Sequence, residues 1–356
     1  MSRQEVFAKP MPHDDTGDSR NASGDPRLRM AASIPSRSAI VSALIWASAL
    51  LVALLTALAA AAGRFWIGDM ITFFQPQLAL VVLLLLGAAI WLRRFGASVA
   101  LSALLVVNAL PLVFVSVPTA APADAPNLRI VSANVLFDHA EPTRFSDVIS
   151  ALAPDIIVTQ EAKFKWPDVL RALPDFPYLV GPEISKWNGN LVLSRYPLRA
   201  RLVPDMPPSG YSLGGGYAVR VEADLPDRVQ PLVIYAVHAP TPRTLVGWQA
   251  RNRYLDVLAE RIAAEPKGTE IVLAGDWNTP VWSPAYGRTL WLSGLQATER
   301  SAWPPPTRIF ASLAGVNLGT PIDHVAVSGG IAIAGLFAGP DFGSDHLPVV
   351  ADLKLP

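Results

Sequence analysis

The stretch LAGDWNTP, residues 273–280, places a carboxylate and an amide two residues apart directly after an apolar run. Asp276 and Asn278 stand there on either side of Trp277, and Gly275 ends the apolar lead-in. Asp and Asn are common turn formers, so this pattern alone is also typical of a strand that ends in a turn. On an extended strand, however, side chains two residues apart point to the same side. The two groups can then be aimed together at one ligand.

Five further polar clusters stand at the ends of apolar, strand-like segments. They are Asn134 in IVSANV, Gln160 and Glu161 in IIVTQE, His238 in VIYAVHAP, Asp323 and His324 in PIDHVAVS, and Ser344, Asp345 and His346 in GSDHLPVV. Strand ends on one rim of a sheet sandwich converge in space, so all six clusters can form a single site. His324 follows Asp323 directly on a strand and is therefore expected on the opposite face.

The residue types in these clusters suit the hydrolysis of a phosphate ester. Oxygen ligands such as Asn134, Glu161 and Asp345 suit a hard cation, Mg²⁺ or Mn²⁺. Such a cation neutralises charge on the phosphate and on the leaving oxygen. An Asp can align and deprotonate the attacking water. Histidines can donate to phosphoryl oxygens, and a buried Asp can hold one of them in the useful tautomer.

The domain that must position these residues begins near residue 127, where short β-rich runs alternate with amphipathic segments. The pattern predicts strands near 128–135, 154–161, 190–195, 216–225, 231–238, 270–275, 323–328 and 347–353, and helices near 143–152, 247–264 and 284–293. In the longest helix, Leu255, Leu258, Ala259 and Ile262 form one apolar stripe. Many strands with few helices favour two packed sheets with helices outside.

The first third of the chain is too apolar for a soluble domain. The whole chain is 51% hydrophobic and only 16% charged, and the excess of apolar residues is concentrated in three runs. No charged side chain occurs in residues 38–63, 70–92 and 95–123. Each run is long enough to cross ~30 Å of hydrocarbon. We therefore predict three transmembrane helices within residues 38–117, a disordered cytoplasmic tail over 1–37 and an extended linker over 118–126.

The orientation of these helices follows from the basic residues beside them. Arg27, Arg29 and Arg37 precede the first helix, and Arg93 and Arg94 separate the second from the third. Basic flanks favour the cytoplasm. The sequence therefore predicts a multi-pass protein of the cell (inner) membrane, with a cytoplasmic N-terminus and the C-terminal domain on the extracytoplasmic side. The chain has no cysteine, which excludes disulfides, zinc–thiolate sites and a thiol nucleophile.

The six clusters, taken in order, resemble the endonuclease/exonuclease/phosphatase superfamily, which includes the DNase I-like nucleases. NGNLVLSRYPL (188–198) and GDWNTPVWSPAY (275–286) resemble its bacterial branch with N-terminal membrane helices. The resemblance covers residues 127–356 and implies a four-layer α/β sandwich. One departure concerns Ala236, since the family often has Asn two residues before the histidine that matches His238. This puts one hydrogen bond of that histidine in doubt.

The resemblance also implies roles for individual residues. It assigns metal binding to Glu161 and Asp345 with Asn134 nearby, and water activation to Asp276 with Asn278. It assigns contacts to the phosphate or the leaving group to His238 and His346, and it gives Asp323 the task of orienting His346. Lys163, Lys165 and Arg308 are further candidates for phosphate contacts, although a solvated surface position is the ordinary expectation for such side chains.

We therefore predict a membrane-anchored phosphoesterase that uses Mg²⁺ or Mn²⁺ and attacks a phosphodiester or phosphomonoester with water. Its expected partners are the lipid bilayer and a phosphate-ester substrate, which is a nucleic acid, a phospholipid headgroup or a small phosphoester; no protein partner is evident. From residue 119 onward acidic residues slightly outnumber basic ones. This part of the chain therefore lacks the excess of basic residues that is typical of proteins that bind duplex DNA. A dedicated nuclease and a non-catalytic binding module with the same fold are the alternatives. The presence of every expected acid, amide and histidine argues against the binding module.

Overall fold

The computed structural model describes residues 36–113, 119–137, 141–181, 189–207, 214–299, 303–313 and 315–356. Residues 44–356 form one compact unit. The described part of the remainder, residues 36–43, contains the beginning of the first helix. The predicted cytoplasmic tail lies almost wholly outside the described residues.

Four helices make up the described N-terminal part of the chain: α1 (Arg37–Ala60), α2 (Trp66–Thr72), α3 (Gln75–Trp91) and α4 (Phe95–Val113). α1 and α4 are each long and apolar enough to cross a membrane. α2 and α3 are bent by 75° at the break between them and supply a third span only if the pair is counted as one. The second apolar run of the sequence is therefore a broken helix, whereas α4 stays helical through Pro111.

Polar side chains inside this helical part connect α1, α3 and α4. The Asn108 Nδ2 donates to the Thr56 Oγ1 at 2.8 Å, and the Gln75 Nε2 donates to the Asn108 carbonyl oxygen at 3.0 Å. Buried hydrogen bonds of this kind join helices where the surrounding medium is as apolar as the helices themselves. Large apolar side chains on the outside, including Leu50 and Leu84, are exposed, as expected of helices that contact lipid.

The rest of the described chain is built from two six-stranded sheets. The strands are β1 (Leu128–Asn134), β2 (Ile156–Gln160), β3 (Tyr178–Val180), β4 (Leu191–Ser194), β5 (Leu198–Leu202), β6 (Gly216–Ala223), β7 (Leu232–His238), β8 (Ile271–Asp276), β9 (Gln296–Ala297), β10 (Arg308–Leu313), β11 (Val316–Thr320), β12 (Asp323–Val327), β13 (Ala332–Ala338) and β14 (Val349–Lys354). The first sheet has the order β13-β14-β1-β2-β4-β3 and the second β5-β6-β7-β8-β12-β9, while β10 and β11 form a separate hairpin.

The two sheets pack face to face and are covered by helices on both outer faces. Ile130 and Val158 of the first sheet and Ile234, Val272 and Val325 of the second belong to one buried core between the sheets. The helices are α5 (Pro142–Leu152), α6 (Trp166–Arg171), α7 (Leu245–Ala263) and α8 (Pro284–Ser293). α5 and α6 cover the first sheet, and α7 and α8 cover the second. This architecture confirms the predicted four-layer α/β sandwich, and α5, α7 and α8 lie where the sequence predicts helices.

The sheet topology brings the predicted polar clusters to one edge. β1 pairs with β2 and β7 pairs with β8 in parallel, so Asn134 lies opposite Gln160 and His238 lies opposite Asp276 at the carboxyl ends of these strands. β12 runs antiparallel to β8 and begins with Asp323 opposite Asp276. The tight turns and registers at this edge therefore determine the geometry of the site.

Residues 119–126, which the sequence predicts as a linker, lie along the domain. The Ala120 backbone N–H donates to the Ala297 carbonyl oxygen at 2.9 Å, and the Ala123 N–H donates to that of Ile333 at 2.8 Å. The Ile333 N–H in turn donates to the Ala121 carbonyl oxygen at 2.8 Å. This part of the segment is extended, but it is fastened to β9 and β13.

A Gly275→Ala substitution is expected to lower the free energy of unfolding by at least about 2 kcal/mol. Gly275 has φ +147°, and a Cβ there would lie 2.0 Å from the Val237 carbonyl oxygen of the neighbouring strand. Thermal unfolding of the full chain in detergent measures the change. Gly268→Ala is the matched control, because Gly268 also has a positive φ, +85°, but a Cβ there meets nothing within 4 Å. Equal losses in the two variants would contradict the steric explanation.

Candidate active site

The residues predicted for the site all lie at this edge of the sandwich, and Asp276 is at their centre. Its Oδ2 lies 3.3 Å from the Asn134 Nδ2, 3.6 Å from the His238 Nε2 and 3.9 Å from the His346 Nε2. The Asp276 side chain is buried, and its Oδ1 accepts a hydrogen bond of 2.8 Å from the Asn278 backbone N–H. One carboxylate oxygen is thus fixed by the backbone while the other faces an amide and two imidazoles.

Asp323 and His346 form a buried pair beside Asp276. The His346 Nδ1 lies 2.8 Å from the Asp323 Oδ2, and the Asp323 backbone N–H donates to the Thr307 Oγ1 at 3.1 Å. Burial alone would raise the pKa of Asp323, but the charge and hydrogen bond of His346 keep it below its ordinary value. Burial opposes protonation of His346, yet the surrounding carboxylates, first of all Asp323, raise its pKa to about 9. His346 therefore carries a proton on Nε2 at neutral pH.

Glu161 and Asp345 supply carboxylate oxygens to the same pocket, whereas Asn134 presents its Nδ2 there, because its Oδ1 accepts from the Leu136 N–H at 3.1 Å. The Glu161 Oε1 accepts from the Asn134 Nδ2 at 3.2 Å and lies 3.8 Å from the His238 Nε2. Burial alone would raise the pKa of Glu161, but His238 and Asn134 outweigh it and keep the pKa below its ordinary value. The Asp345 Oδ2 accepts from the Arg308 Nη2 at 2.8 Å, while its buried Oδ1 has no hydrogen-bond partner. Carboxylate oxygens with a free lone pair fit a hard cation.

A second group of donors also lies close enough together to hold a metal. Ligand atoms of Asp276, Asp323 and His346 are all within 4.8 Å of one another. Asp323 and His346 are already bonded to each other, and the raised pKa of His346 puts protons on both of its ring nitrogens. A doubly protonated imidazole has no lone pair for a cation. A cation would therefore have to displace the proton of His346 in order to use that ring as a ligand.

Two residues of the site have left-handed backbone conformations. Asn278 has φ +49° and Glu161 has φ +58°. Asn visits this region readily, whereas Glu does so rarely. The Ala162 N–H, next to Glu161, donates to the Gly189 carbonyl oxygen at 3.0 Å, and a Cβ on Gly189 would lie 2.8 Å from the Glu161 Cα. These close contacts with the Gly189 segment hold Glu161 in its strained backbone conformation.

The Asn278 turn is supported from behind by a residue that the sequence did not single out. Arg251 of α7 is completely buried, and its Nη1 donates to the Asn278 carbonyl oxygen at 3.0 Å. Its Nη2 forms a buried ion pair with Asp69 of α2. Asp69 also accepts from the Ser283 Oγ at 2.5 Å and from the Trp248 Nε1 at 2.8 Å. Asp69, which comes from the N-terminal helices, therefore neutralises the Arg251 guanidinium that binds the turn at Asn278.

His324 supports the next residue of the same turn. Its Nε2 lies 2.7 Å from the Thr279 carbonyl oxygen and its Nδ1 lies 2.6 Å from the Glu299 Oε1. Burial alone would lower the pKa of His324, but Glu299 outweighs it and the pKa is raised. The ring packs against Trp277 and Tyr286 on the outer face of the sheet, as the alternation of the strand predicts. His324 therefore lies behind the site rather than inside it.

The site lines a pocket of about 380 Å³. Besides the acids and histidines, three cationic residues line it, namely Lys163, Arg243 and Arg308. Lys163 and Arg308 were sequence candidates, whereas Arg243 was not, and Lys165 does not line the pocket. Ala236, at the departure from the family pattern, belongs to the buried core between the sheets. The pocket is thus lined by carboxylates and histidines together with three cationic side chains, and this combination suits a phosphate group.

Comparison with known proteins agrees with this geometry. Residues 131–346 match a family model described as "Endonuclease/Exonuclease/phosphatase family". An endonuclease/exonuclease/phosphatase from Bacteroides vulgatus is 16% identical with a TM-score of 0.51, and the alignment covers 64% of this chain and 99% of that one. A family protein from Bacteroides thetaiotaomicron is also 16% identical, with a TM-score of 0.50 and coverages of 64% and 98%. None of the curated proteins matches the sequence. At such identities the structural likeness concerns the fold alone.

Proposed function

The chain belongs to the endonuclease/exonuclease/phosphatase family, and we propose that it is a membrane-anchored, divalent-metal-dependent phosphoesterase. Members of this family are hydrolases that act on phosphoester bonds. The observation that carries the proposal is the placement of Asn134, His238 and His346 within 4 Å of one buried carboxylate oxygen of Asp276.

In the proposed reaction Asp276 is the general base. Burial and the neighbouring charge of Asp323 raise the pKa of Asp276 above its ordinary value, which makes it a stronger base than an exposed carboxylate. The Asn278 N–H occupies Oδ1, so Oδ2 receives the proton. The water oxygen forms a bond to phosphorus, the ester P–O bond breaks, and the proton of the water moves to Asp276.

The two histidines of the pocket serve the phosphate. His346 is protonated and fixed through its Nδ1 by Asp323, so its Nε2–H can donate to a phosphoryl oxygen or to the departing oxygen. His238 lies on the opposite side of Asp276, next to Glu161, and donates to a second phosphoryl oxygen. Both contacts strengthen as negative charge develops in the transition state.

Glu161 and Asp345, with Asn134 nearby, are the residues that would hold Mg²⁺ or Mn²⁺. The lowered pKa of Glu161 and the unpartnered Oδ1 of Asp345 support this assignment. When bound, such a cation supplies neutralisation of charge on the phosphate and on the leaving oxygen.

A Glu161→Gln substitution is expected to raise the Mg²⁺ concentration needed for half-maximal activity at least about tenfold. The amide keeps the shape of the side chain but removes the charge that attracts the cation. The measurement is hydrolysis of bis-p-nitrophenyl phosphate by the full chain in detergent, first stripped with EDTA and then titrated with Mg²⁺ or Mn²⁺. Glu260→Gln, at an exposed position of α7, is the matched control and is expected to titrate as the wild type does.

The same assay separates the proposed function from its alternatives. Hydrolysis that persists in EDTA would contradict metal dependence. If the folded chain binds Mg²⁺ but does not cleave bis-p-nitrophenyl phosphate, p-nitrophenyl phosphate or plasmid DNA, the result would favour a non-catalytic binding module. Plasmid cleavage far faster than hydrolysis of the small esters would favour a dedicated nuclease.

We further propose that α1, α3 and α4 anchor the protein in the membrane, with the N-terminus in the cytoplasm and the catalytic domain, residues 127–356, on the extracytoplasmic side. The basic pair Arg93–Arg94 between α3 and α4 supports this orientation. The short helix α2 contacts the catalytic domain, because the Trp66 Nε1 donates to the Pro242 carbonyl oxygen at 2.8 Å and Asp69 pairs with Arg251. We therefore assign α2 to the extracytoplasmic surface and propose that α3 alone is the second span, since its 17 residues reach the lower end of the usual length of a membrane helix.

A further inference from the structure

A second, apolar cavity adjoins the pocket of the proposed active site. It has a volume of about 330 Å³, and four of its lining residues also line the active-site pocket. These shared residues are Thr241, Arg243, Asn278 and Arg308. A ligand whose phosphate lies beside Asp276 can therefore extend past the two arginines into the second cavity.

Half of the apolar residues that line this cavity, three of six, come from outside the catalytic domain. Met70 belongs to α2, and Phe73 and Phe74 stand at the break between α2 and α3, where the chain turns by 75°. The other three are Pro242, Phe310 of β10 and the buried Ile322. The cavity is thus formed between the catalytic domain and the first residues of an apolar helix.

The hairpin of β10 and β11 continues this apolar surface. The rings of Phe74 and Phe310 lie 5.6 Å apart, and the Gln77 Nε2 of α3 donates to the Gly319 carbonyl oxygen at 3.3 Å. Leu313 and Val316 at the end of the hairpin are 71% and 61% exposed. Apolar side chains so exposed beside an apolar helix are typical of a surface that meets lipid.

From these observations we infer that the substrate is an amphipathic phosphoester, a lipid whose phosphate occupies the active-site pocket and whose apolar chain lies in the second cavity. Arg243 and Arg308 at the junction neutralise the anionic group, while Phe73, Phe74 and Phe310 bury the chain. A cavity of this size is within the range of pockets that bind small ligands. This inference rests on the proposed phosphoesterase function and specifies its substrate class.

Two probes that differ only in the length of one alkyl chain test the inference. Ethyl 4-nitrophenyl phosphate and dodecyl 4-nitrophenyl phosphate share the phosphodiester and the leaving group, so hydrolysis of either releases 4-nitrophenolate and an alkyl phosphate. Both are assayed with Mg²⁺ and the full chain in the same detergent micelles. We expect kcat/KM for the dodecyl ester to exceed that for the ethyl ester at least about tenfold, mainly through a lower KM.

Substitution of the cavity wall shows whether this preference comes from the cavity. The combined variant Phe74→Ser and Phe310→Ser changes two half-exposed side chains and is expected to abolish most of the preference, whereas Phe310→Leu retains it. Val229→Ser is the control, because Val229 is 96% exposed and lines neither cavity. Fluorescence-monitored unfolding verifies that each variant is folded.

The possible failures are distinguishable. Equal kcat/KM for the two esters, with hydrolysis that still requires Mg²⁺, would overturn the lipid inference and leave the phosphoesterase function standing. A preference that survives the double substitution, or that is lost equally in Val229→Ser, would also overturn it. Absence of hydrolysis of both esters by folded wild-type protein would overturn the lipid inference, and if p-nitrophenyl phosphate and plasmid DNA were also not cleaved it would overturn the proposed function itself.

Discussion

Asp276→Asn is expected to lower kcat for phosphoester hydrolysis at least about 1000-fold while leaving the fold intact. The amide has the shape of the carboxylate, and its oxygen can still accept the hydrogen bond from the Asn278 N–H. It cannot take a proton from water. The substitution also removes a buried negative charge next to Asp323, so it introduces no unpaired charge into the interior. The measurement is single-turnover hydrolysis of bis-p-nitrophenyl phosphate at saturating Mg²⁺.

The matched control for this prediction is Asp168→Asn. Asp168 lies on α6 with its side chain 85% exposed, so its loss leaves the site unchanged. Both variants should unfold within a few degrees of the wild type. If Asp276→Asn were folded, bound Mg²⁺ normally and turned over within tenfold of the wild type, a different group would have to accept the proton.

Much of the site could be predicted because its residues occupy recognisable positions in strands. Asn134, His238 and Asp276 each close an apolar run at the carboxyl end of a strand, and their order along the chain adds to the signal of any one of them. Parallel pairing then brings these ends to one edge. The alternation of β12 also predicted correctly that Asp323 faces the site while His324 faces away from it.

The supports behind the site could not be predicted in the same way. Arg251 and Asp69 are 182 residues apart, and no local periodicity encodes a pairing over that separation. One signal was available: Arg251 stands four residues before Leu255, on the buried stripe of α7, where an unpaired charge would be costly. The partner of His324, Glu299, carries no such signal, since it lies in a loop after β9.

The short elements at the junction with the apolar helices were missed for a related reason. α2 has seven residues and ends inside the apolar run 70–92. The bend that follows it carries no local sequence signal, so the sequence suggests one uninterrupted span. The hairpin of β10 and β11 has exposed apolar residues on strands that belong to neither sheet. Its position depends on tertiary contacts rather than on its own pattern: Phe74 and Gln77 contact it on one side, and the Ile309 N–H donates to the Asp345 carbonyl oxygen at 2.8 Å. Elements that are stabilised mainly by tertiary contacts override local propensity.

These supports make the turn at Asn278 depend on the N-terminal helices. Asn278 keeps a left-handed backbone conformation while Arg251 and His324 bind the carbonyl oxygens of the turn from behind. Each of these side chains contacts a buried carboxylate, which is Asp69 of α2 for Arg251 and Glu299 for His324. Removal of one partner of a buried ion pair leaves an uncompensated charge in the interior, at a cost of about 3–5 kcal/mol.

Asp69→Asn is therefore expected to lower the unfolding temperature of the full chain by about 10 °C and to reduce kcat at least about tenfold with little change in KM. The control is Asp256→Asn. Asp256 lies on α7, the helix of Arg251, and pairs at the surface with Arg288 of α8, so its substitution should lower the free energy of unfolding by at most about 1 kcal/mol.

In the double variant Asp69→Asn with Arg251→Gln, the loss of stability should be smaller than the sum of the two single losses, because no unpaired charge is left in the interior. A chain that begins at residue 119 lacks Asp69 together with the contacts of Trp66, Phe74 and Gln77, and should lose at least as much stability and activity as Asp69→Asn. If Asp69→Asn unfolded and turned over as Asp256→Asn does, the buried pair would not support the turn at Asn278.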